Sequence, residues 1–329
     1  MLILQTEQNQ YIMIKRTLYF GNDAYLNTKN KQLIISYPDK EKEKITVPIE
    51  DIGVVILDAY RLTISQNLIS RLLDNNVALI TCDSRRMPQG LMLNLEGNTL
   101  QQERFKYQVD ASLPLKKQLW QQTIKAKILN QRALLTHLMI QSHLINNNDL
   151  ENMQYWANSV KSGDPDNYEA RAAAFYWKNI FSEFIPNFIR GRHEPNPNNL
   201  LNYGYAILRA ITARSLVASG LMPTFGIHHH NKYNAYALAD DIMEPYRPYV
   251  DEIVYEIIEA YGFENEEEIE LTTQLKTELL KIPAIDVIID NEKSPLMNAM
   301  QRTTASLFQC FAGNTRKILY PVFANKGVV

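Results

Sequence analysis

The chain has 329 residues, of which 46% are hydrophobic and 21% are charged. This composition is typical of a globular protein with a sizeable core in one or two domains. No continuous apolar run reaches the roughly 18 residues that a membrane-spanning helix needs, and the start of the chain lacks the basic and then apolar pattern of a signal peptide. We therefore expect a cytoplasmic protein that does not enter a membrane.

The net charge of −2 conceals an uneven distribution along the chain. Residues 240–293 carry sixteen acids against four bases, and residues 294–329 carry four bases and no acid, so residues 1–239 have a net charge of +6. A modest basic body is compatible with nucleic-acid binding but does not require it. Two cysteines, Cys82 and Cys310, are too few for a disulfide framework or a cysteine-rich zinc site.

The N-terminal part of the chain has the pattern of strands. Four short runs rich in Ile, Val, Leu and Tyr are separated by turn-forming residues at 21–23, 27–30 and 38–39; the runs are 16–20, 32–37, 52–57 and 77–82. A helix follows Ser65, a good N-cap, with Ile64 and Ile69 placed as a hydrophobic staple. We predict a small antiparallel sheet domain over residues 13–97, with residues 1–12 as a possible extension.

Helical spacing begins after residue 98. Trp120, Ile124 and Ile128 recur every four residues, and lysines between them form the predicted polar face: Lys116, Lys117, Lys125 and Lys127. Further helices are predicted over 169–181, 199–219, 247–261, 266–280 and 295–320, with loops at 161–167 and 190–198. The acidic run 264–270 is interpreted as a solvated helix start. The predicted fold class is thus α+β, with an all-α domain over 98–329.

Several enzyme classes are excluded by missing motifs. None of the twelve glycines forms a G-x-G-x-x-G pattern or precedes a lysine, which removes the dinucleotide fingerprint and the phosphate-binding loop of nucleotide hydrolases. The chain also lacks the H-E-x-x-H zinc motif and the G-x-S-x-G nucleophile elbow.

Three groups of residues are candidates for chemistry. His228, His229 and His230 lie in a predicted loop, where at most one or two of them face a common ion, and they could equally be polar loop residues. Asp241 and Glu244 share a helical face if the helix runs through Pro245, but if Pro245 starts a helix, Glu244 becomes its cap. Both acids could also be ordinary first-turn acids.

Glu169 is the third candidate, and it lies beside small residues that let a ligand or another backbone come close. Taken alone it could be an ordinary surface glutamate. Carboxylate and imidazole together are suitable ligands for Mn²⁺, or for Mg²⁺ through oxygen and water. Such an ion polarises a phosphodiester, which suggests phosphoryl transfer on nucleic acid.

These segments together resemble the CRISPR-associated spacer integrases, the "Cas-one" family, and are most similar to type II versions. The resemblance covers the chain from about residue 13 to its end and rests on six motifs in order: YEARAAAFYW (168–177), NLLNYGYAIL (199–208), GLMP (220–223), GIHH (226–229), YNA (233–235) and LADDIMEPYRP (238–248). RTLYF (16–20) and IEDI (49–52) also resemble the sheet domain of the family. The sequence departs from the family pattern at Ala170, a position at which members of the family often have glycine.

The resemblance implies an endonuclease and integrase that inserts short foreign DNA into a CRISPR array, acting as a homodimer with a small "Cas-two" partner. It implies Glu169, His229 and Glu244 as catalytic metal ligands for Mg²⁺ or Mn²⁺, with Asp241 and Arg247 in support. The implied reaction is attack of a DNA 3′-hydroxyl on a phosphodiester. Candidates for phosphate contact are Arg190, Arg192, Arg209 and Lys232, each of which could be ordinary surface. A nuclease that cuts branched DNA without joining, and a non-catalytic DNA-binding scaffold, remain alternatives.

Overall fold

The computed structural model describes residues 2–3, 15–39, 41–142, 147–261 and 270–323. The chain divides into two compact units, residues 1–99 and 100–329. The predicted boundary, between residues 97 and 98, lies two residues before this division. No helix among the described residues is both long and apolar enough to cross a membrane.

The N-terminal unit contains nine strands and one α-helix within its described residues: β1 (Leu2–Ile3), β2 (Arg16–Phe20), β3 (Ala24–Lys29), β4 (Gln32–Ser36), β5 (Ile45–Pro48), β6 (Ile52–Leu57), β7 (Leu62–Ile64), α1 (Gln66–Asp74), β8 (Ala78–Cys82) and β9 (Pro88–Met92). They form a five-stranded sheet in the order β1-β2-β6-β8-β9 and a four-stranded sheet in the order β5-β4-β3-β7. Leu18, Val55, Leu33 and Leu72 are fully buried in one apolar cluster with residues from both sheets and α1.

The prediction of an antiparallel sheet is wrong, because both sheets are mixed. β6 runs parallel to β2 and to β8, and β7 runs parallel to β3. Parallel neighbours need a long crossover that brings the chain back to the same end of the sheet. The segment from β7 to α1 provides this crossover between β6 and β8. The predicted turn at 27–30 is also wrong over its first three residues, which belong to β3.

Helix α1 begins as predicted. The Ser65 hydroxyl accepts a hydrogen bond from the Leu68 amide at 3.3 Å, and both predicted staple residues, Ile64 and Ile69, pack against the apolar cluster. Of the predicted N-terminal extension, only residues 2–3 are described; they pair antiparallel with β2. The rest of that hypothesis lies outside the described residues.

The C-terminal unit is mainly helical, which together with the β-rich unit before it confirms the α+β class. Its described α-helices are α2 (Gln101–Val109), α3 (Leu113–Ser142), α4 (Asn147–Ser159), α5 (Tyr168–Asn179), α6 (Asn198–Ala218), α7 (Ala237–Met243), α8 (Arg247–Tyr261), α9 (Thr273–Leu279) and α10 (Leu296–Phe311). Helix α6 is buried along most of its length, and α7, α8 and α10 pack against it. Helix α3 packs against α5 and against the 3-10 turn Glu244–Tyr246 that joins α7 to α8.

The C-terminal unit is not all-α, which corrects the sequence prediction. A β-hairpin of β10 (Asp286–Ile289) and β11 (Glu292–Pro295) precedes α10. Helix α10 ends at Phe311 rather than near residue 320, because Gly313 adopts a left-handed conformation with φ of 78°. The described part of the predicted 266–280 helix begins at Thr273, where Thr272 caps it, and most of the acidic run 264–270 lies outside the described residues.

Candidate active site

The side chain of Lys127 lies between two carboxylates that are far apart in sequence. Its Nζ atom is 2.8 Å from Oε1 of Glu169 and 2.7 Å from Oε2 of Glu244. The two carboxylate oxygens are therefore no farther apart than the sum of these distances. Helix α3 supplies the lysine, α5 supplies Glu169, and the 3-10 turn supplies Glu244. The packing of these elements thus joins two of the predicted ligands around one cation.

Glu169 is positioned by the start of helix α5. The carboxylate of Asp164 accepts hydrogen bonds from the amides of Tyr168 at 3.0 Å and Glu169 at 2.9 Å. Asn167, immediately before the helix, has a left-handed backbone with φ of 56°. The Asp164 side chain thereby caps two free donors of the first turn. Ala172, one turn further on, is fully buried, so the helix approaches its neighbours closely at this point.

Glu244 is held from two sides. Its Oε1 accepts from Nε of Arg247 at 3.0 Å, while its buried Oε2 lies 2.7 Å from Nζ of Lys127. Burial by itself would raise the pKa of Glu244, but Arg247 and Lys127 outweigh it and lower the pKa to about 2. Burial likewise opposes the charge on Lys127, yet Glu244 and Glu169 raise the pKa of the lysine. Glu244 and Lys127 are therefore both charged at neutral pH.

The chain continues without a break through Pro245. Glu244 follows α7 in right-handed helical conformation, and the Pro245 carbonyl accepts a hydrogen bond from Nδ2 of Asn130 at 2.8 Å. Asn130 lies on α3, so this bond fixes the turn that carries Glu244 to the helix that carries Lys127. Glu244 is thus the first residue of the 3-10 turn. The alternative, in which Pro245 starts a helix and Glu244 is only its cap, is wrong.

Asp241 holds the histidine loop in place through hydrogen bonds to residues 227–229. Its fully buried carboxylate accepts from the amides of Ile227 at 2.7 Å, His228 at 2.9 Å and His229 at 3.3 Å, and from Nδ1 of His229 at 2.5 Å. The hydrogen bond that the His229 ring donates to Asp241 raises the pKa of His229, and the negative charges of Asp241, Glu244 and Glu169 add to this increase. With Nδ1 bound to the carboxylate, the imidazole presents Nε2 for other contacts. Asp241 is therefore an orienting group and not a partner of Glu244.

The other two histidines have different surroundings. The ring of His228 stacks on Trp120 with centroids 4.1 Å apart and planes 1° from parallel, and burial lowers its pKa. His229 meets the edge of the same indole at 5.7 Å. His230 is exposed. The neighbours in the triplet thus point in different directions, as expected for a loop.

Gly226 leaves no room for a side chain beside Asp241. A Cβ atom there would lie 2.5 Å from the carbonyl oxygen of His229 and 2.8 Å from Oδ2 of Asp241. Gly226→Ala should lower the free energy of unfolding by about 1–3 kcal/mol, the usual cost of overpacking. Gly191→Ala is the control, since its Cβ would meet only the exposed Glu194 side chain. Urea unfolding of both variants measures the difference, and equal stability would contradict the tight packing.

Lys127 was missed by the sequence analysis, which placed it on the polar face of its helix. The structure buries it, whereas Lys125 is exposed. The signal was present: Lys127 follows Trp120 by seven residues and Ile124 by three, positions that share one helical face. The regular apolar spacing therefore pointed to a buried lysine.

The residues around Lys127 fit a divalent cation by their chemistry. Two carboxylates already share one positive group, and an imidazole oriented by a carboxylate is a common metal-ligand arrangement. In their present positions, no three Asp, Glu, His or Cys side chains among the described residues are grouped closely enough to hold a metal ion. The lysine ammonium lies between the two glutamates.

The four predicted phosphate-binding residues differ in whether other protein groups already bind their side chains. Arg190 donates to Asn198 at 2.8 Å and to Asn202 at 2.9 Å, and Arg209 pairs with Asp240 at 2.6 Å. Arg192 and Lys232 are exposed. The first two arginines therefore have structural partners, and the other two present their charge to solvent.

Two cavities adjoin the cluster within the C-terminal unit. One, of about 290 Å³, is lined beside Glu244 by Lys127, Gln131, Trp177, Arg190, Gly191, Arg192, Arg247 and Asp251. The other, of about 350 Å³, lies beside His229, and its lining includes Lys116 and Lys232. Basic residues thus line both cavities.

Asp251, at the first cavity, is a fully buried acid held by two tyrosines. It accepts hydrogen bonds from Tyr176 at 2.8 Å and from Tyr205. Burial raises its pKa to about 6, although both tyrosines and Arg247 act in the opposite direction. A raised pKa in the folded state stabilises the protein below the unfolded-state value near 4, and this contribution is lost as the pH rises through 6.

The pH dependence of stability should reveal this group. Between pH 4 and 7 the free energy of unfolding of wild type should fall by about 3 kcal/mol relative to Asp251→Asn. In wild type the unfolded chain releases the Asp251 proton near pH 4 and the folded protein only near pH 6, whereas asparagine has no proton to release. Urea unfolding at several pH values measures the difference between the two proteins, which cancels other titrating groups. Parallel pH profiles would contradict the prediction.

Solved structures share the fold of this chain. A casposase bound to integration product superposes with a TM-score of 0.75 at 20% identity, covering 94% of this chain and 93% of that one. A CAS1 protein from Thermotoga maritima gives a TM-score of 0.70 at 12% identity, covering 90% of this chain and 97% of that one. The chain thus has the α+β fold of these proteins, in which a β-rich unit precedes a helical one.

Sequence comparison establishes the family. The family described as CRISPR associated protein Cas1 matches residues 18–282. The CRISPR-associated endonuclease Cas1 of Neisseria meningitidis serogroup C (strain 8013) is 35% identical over 308 residues, covering 93% of this chain and 94% of that protein. The chain belongs to the Cas1 family, which confirms the resemblance predicted from its motifs.

Proposed function

We propose that this protein is a metal-dependent DNA integrase of CRISPR adaptation, which inserts short foreign DNA into a CRISPR array. The observation that carries the proposal is the convergence of Glu169 and Glu244 on one cation, with His229 near enough for both acids to raise its pKa. The names of the similar proteins support it, since the Neisseria relative is called an endonuclease and the casposase is bound to an integration product.

The reaction we propose is a direct transesterification. The 3′-hydroxyl oxygen of the incoming strand bonds to a phosphorus at the repeat boundary and loses its proton to water. The bond from that phosphorus to the neighbouring 3′-oxygen breaks, and the leaving oxygen takes a proton from water to become a new 3′-hydroxyl. A bound Mg²⁺ or Mn²⁺ would lower the charge cost at the attacking and leaving oxygens. No protein nucleophile is required.

The residues of the chain have separate roles in this proposal. Glu169, Glu244 and Nε2 of His229 would hold the ion. Asp241 keeps His229 in the tautomer that leaves Nε2 without a proton, and Arg247 holds one oxygen of Glu244 so that the other faces the site. Both supporting residues thus act by positioning the ligands.

DNA would be held by phosphate contacts with the basic residues that line the two cavities. Arg192 and Lys232 are exposed and, with Lys116, line the two cavities, so these three residues are the strongest candidates. Arg190 also lines a cavity, but it already donates to Asn198 and Asn202. Arg209 is a weaker candidate because it pairs with Asp240. Phosphate contacts release counterions, and DNA binding should therefore weaken steeply with salt.

We further propose that the protein acts as a homodimer with a small Cas2 partner. Support comes from a solved Cas6-RT-Cas1–Cas2 complex, which has a TM-score of 0.71 at 21% identity and covers 95% of this chain and 37% of that one. Size-exclusion chromatography with light scattering, with and without the partner, tests this assembly.

Integration assays with Glu169→Gln test the catalytic proposal. The substitution keeps the shape of the side chain but removes the charge that attracts a cation, so joined product should disappear with Mg²⁺ or Mn²⁺ present. Glu103→Gln is the matched control, because Glu103 is an exposed acid in the first turn of another helix. Full joining by Glu169→Gln would defeat the proposal.

DNA ends that lack a 3′-hydroxyl separate joining from hydrolysis. An integrase should lose all product with such ends, whereas a nuclease that only cuts branched DNA should continue to cleave. The endonuclease names of the relatives make this second reaction the alternative to exclude. A non-catalytic scaffold would neither cleave nor join with either substrate.

A further inference from the structure

We propose that Lys127 is a built-in counter-ion that a divalent cation must displace, and that Gln131 receives the displaced ammonium. This inference rests on the proposed metal-dependent function of the same site. The ammonium contacts the carboxylate oxygens that the proposed ligand set would use, one from Glu169 and one from Glu244. A lysine and a divalent cation cannot share these oxygens at such distances without strong repulsion.

The lysine explains how two acids are held together when no metal is bound. Glu244 is almost fully buried, and a second carboxylate nearby would raise the cost of keeping both charged. The ammonium between them offsets that repulsion. The same contact makes the site selective against weakly held cations, because an incoming ion has to compete with a positive group that is already in place.

Gln131 offers the lysine a second position. It lies four residues after Lys127 on α3, so the two side chains are neighbours on one face of the helix. Gln131 is 3% exposed, and its Oε1 atom is a buried acceptor without a hydrogen-bond partner in the part of the chain that is described. Buried acceptors normally have a partner, so this oxygen requires an explanation.

The cavity of about 290 Å³ beside Glu244 gives the ammonium room to move. Lys127 and Gln131 both line it. Arg190, Arg192 and Arg247 line the same cavity and disfavour a further cation there. The ammonium therefore stays between the carboxylates until a divalent cation takes its place, and the Gln131 oxygen then lowers the cost of its new position.

Calorimetric titration of the full-length protein with Mn²⁺, without DNA, tests the inference. Lys127→Met should bind Mn²⁺ at least about tenfold more tightly than wild type, because no ammonium has to leave. Lys125→Met is the matched control, since Lys125 is exposed two residues away on the same helix, and its affinity should equal that of wild type. Unchanged or weaker binding by Lys127→Met would overturn the inference.

Gln131→Leu tests the second position in a double-mutant cycle. It should weaken Mn²⁺ binding while Lys127 is present and have no effect in the Lys127→Met background, since only the lysine uses the glutamine oxygen. Equal effects in both backgrounds would show that Gln131 acts independently of the lysine. That result would overturn its assigned role.

Thermal unfolding gives a second readout if Lys127→Met folds poorly. Its melting temperature without metal should lie below that of wild type, and saturating Mn²⁺ should raise it by a larger amount than in wild type. Lys127→Gln gives a milder variant for the same comparison. An equal or smaller increase than in wild type would contradict displacement.

Glu169→Gln separates failure of this inference from failure of the proposed function. If wild type binds Mn²⁺, Glu169→Gln does not, and Lys127→Met binds no more tightly than wild type, then the metal site stands and the lysine inference fails. If neither wild type nor Lys127→Met binds Mn²⁺, both proposals fail.

Discussion

Glu244→Gln should remove integration activity and destabilise the protein at the same time. The buried carboxylate is bound by two cations, Lys127 Nζ at 2.7 Å and Arg247 Nε at 3.0 Å. Removing one partner of a buried ion pair leaves the other charges uncompensated and typically costs about 3–5 kcal/mol. Loss of a proposed metal ligand should add a decrease in joining rate of about a thousandfold or more, as expected when several kcal/mol of charge stabilisation are lost.

Urea unfolding and integration assays measure the two effects separately. Glu259→Gln is the control, because Glu259 is an exposed acid on α8, and both of its values should match wild type. The double variant Glu244→Gln, Lys127→Met should be less destabilised than the sum of the single variants, since the lysine is then no longer left without its carboxylate. A stability change below about 1 kcal/mol for Glu244→Gln would show that the cluster is solvated like a surface pair.

The N-terminal unit shows which sheet features a sequence pattern predicts. The four predicted strand runs are all present, because β-branched and apolar residues mark buried strands wherever they pair. Pairing direction depends on how distant segments meet, which local composition does not encode. Strand β3 was not predicted. Its second half, Asn27 to Lys29, is polar and resembles a turn, although Leu26 is buried.

The hairpin in the C-terminal unit has a local signal in the sequence. Asp290 and Asn291 both have left-handed backbones, with φ of 54° and 62°, and they connect two strands as a two-residue loop. Asn and Asp are favoured in such turns, and Val287, Ile288 and Ile289 precede them. The sequence prediction assigned no element to residues 281–294, which lie between the predicted helices 266–280 and 295–320.

For the site, resemblance to a family selected three residues, and the fold explains how they are placed. Glu169 and Glu244 meet at Lys127 because α5 and the 3-10 turn pack on the same stretch of α3. The role of Asp241 was not predictable from its spacing to Glu244, which suggested a shared ligand. Its actual partners are three amides and one imidazole in a loop that precedes it by at least twelve residues.

Asp241→Ala should cause a loss of stability and of function through that loop. Three backbone amides and Nδ1 of His229 lose their acceptor, and the Ile227 amide is buried. An unsatisfied buried donor costs about 1–3 kcal/mol, so the free energy of unfolding should fall by about 3 kcal/mol or more. His229 would also lose the contact that fixes its tautomer, and joining should fall by about 10–100-fold or more.

Asp240→Ala is the matched comparison, because the neighbouring acid pairs instead with the partly exposed Arg209 and with Asn234. Its stability cost should be well below that of Asp241→Ala, since water can replace much of that contact. Nuclear magnetic resonance of the His229 ring gives a direct readout. At a pH above the pKa of the ring, the neutral His229 of wild type should carry its single proton on Nδ1. In Asp241→Ala the ring should exchange between the two neutral tautomers. A ring that keeps the wild-type tautomer, with unchanged stability, would mean that the loop and not Asp241 fixes the imidazole.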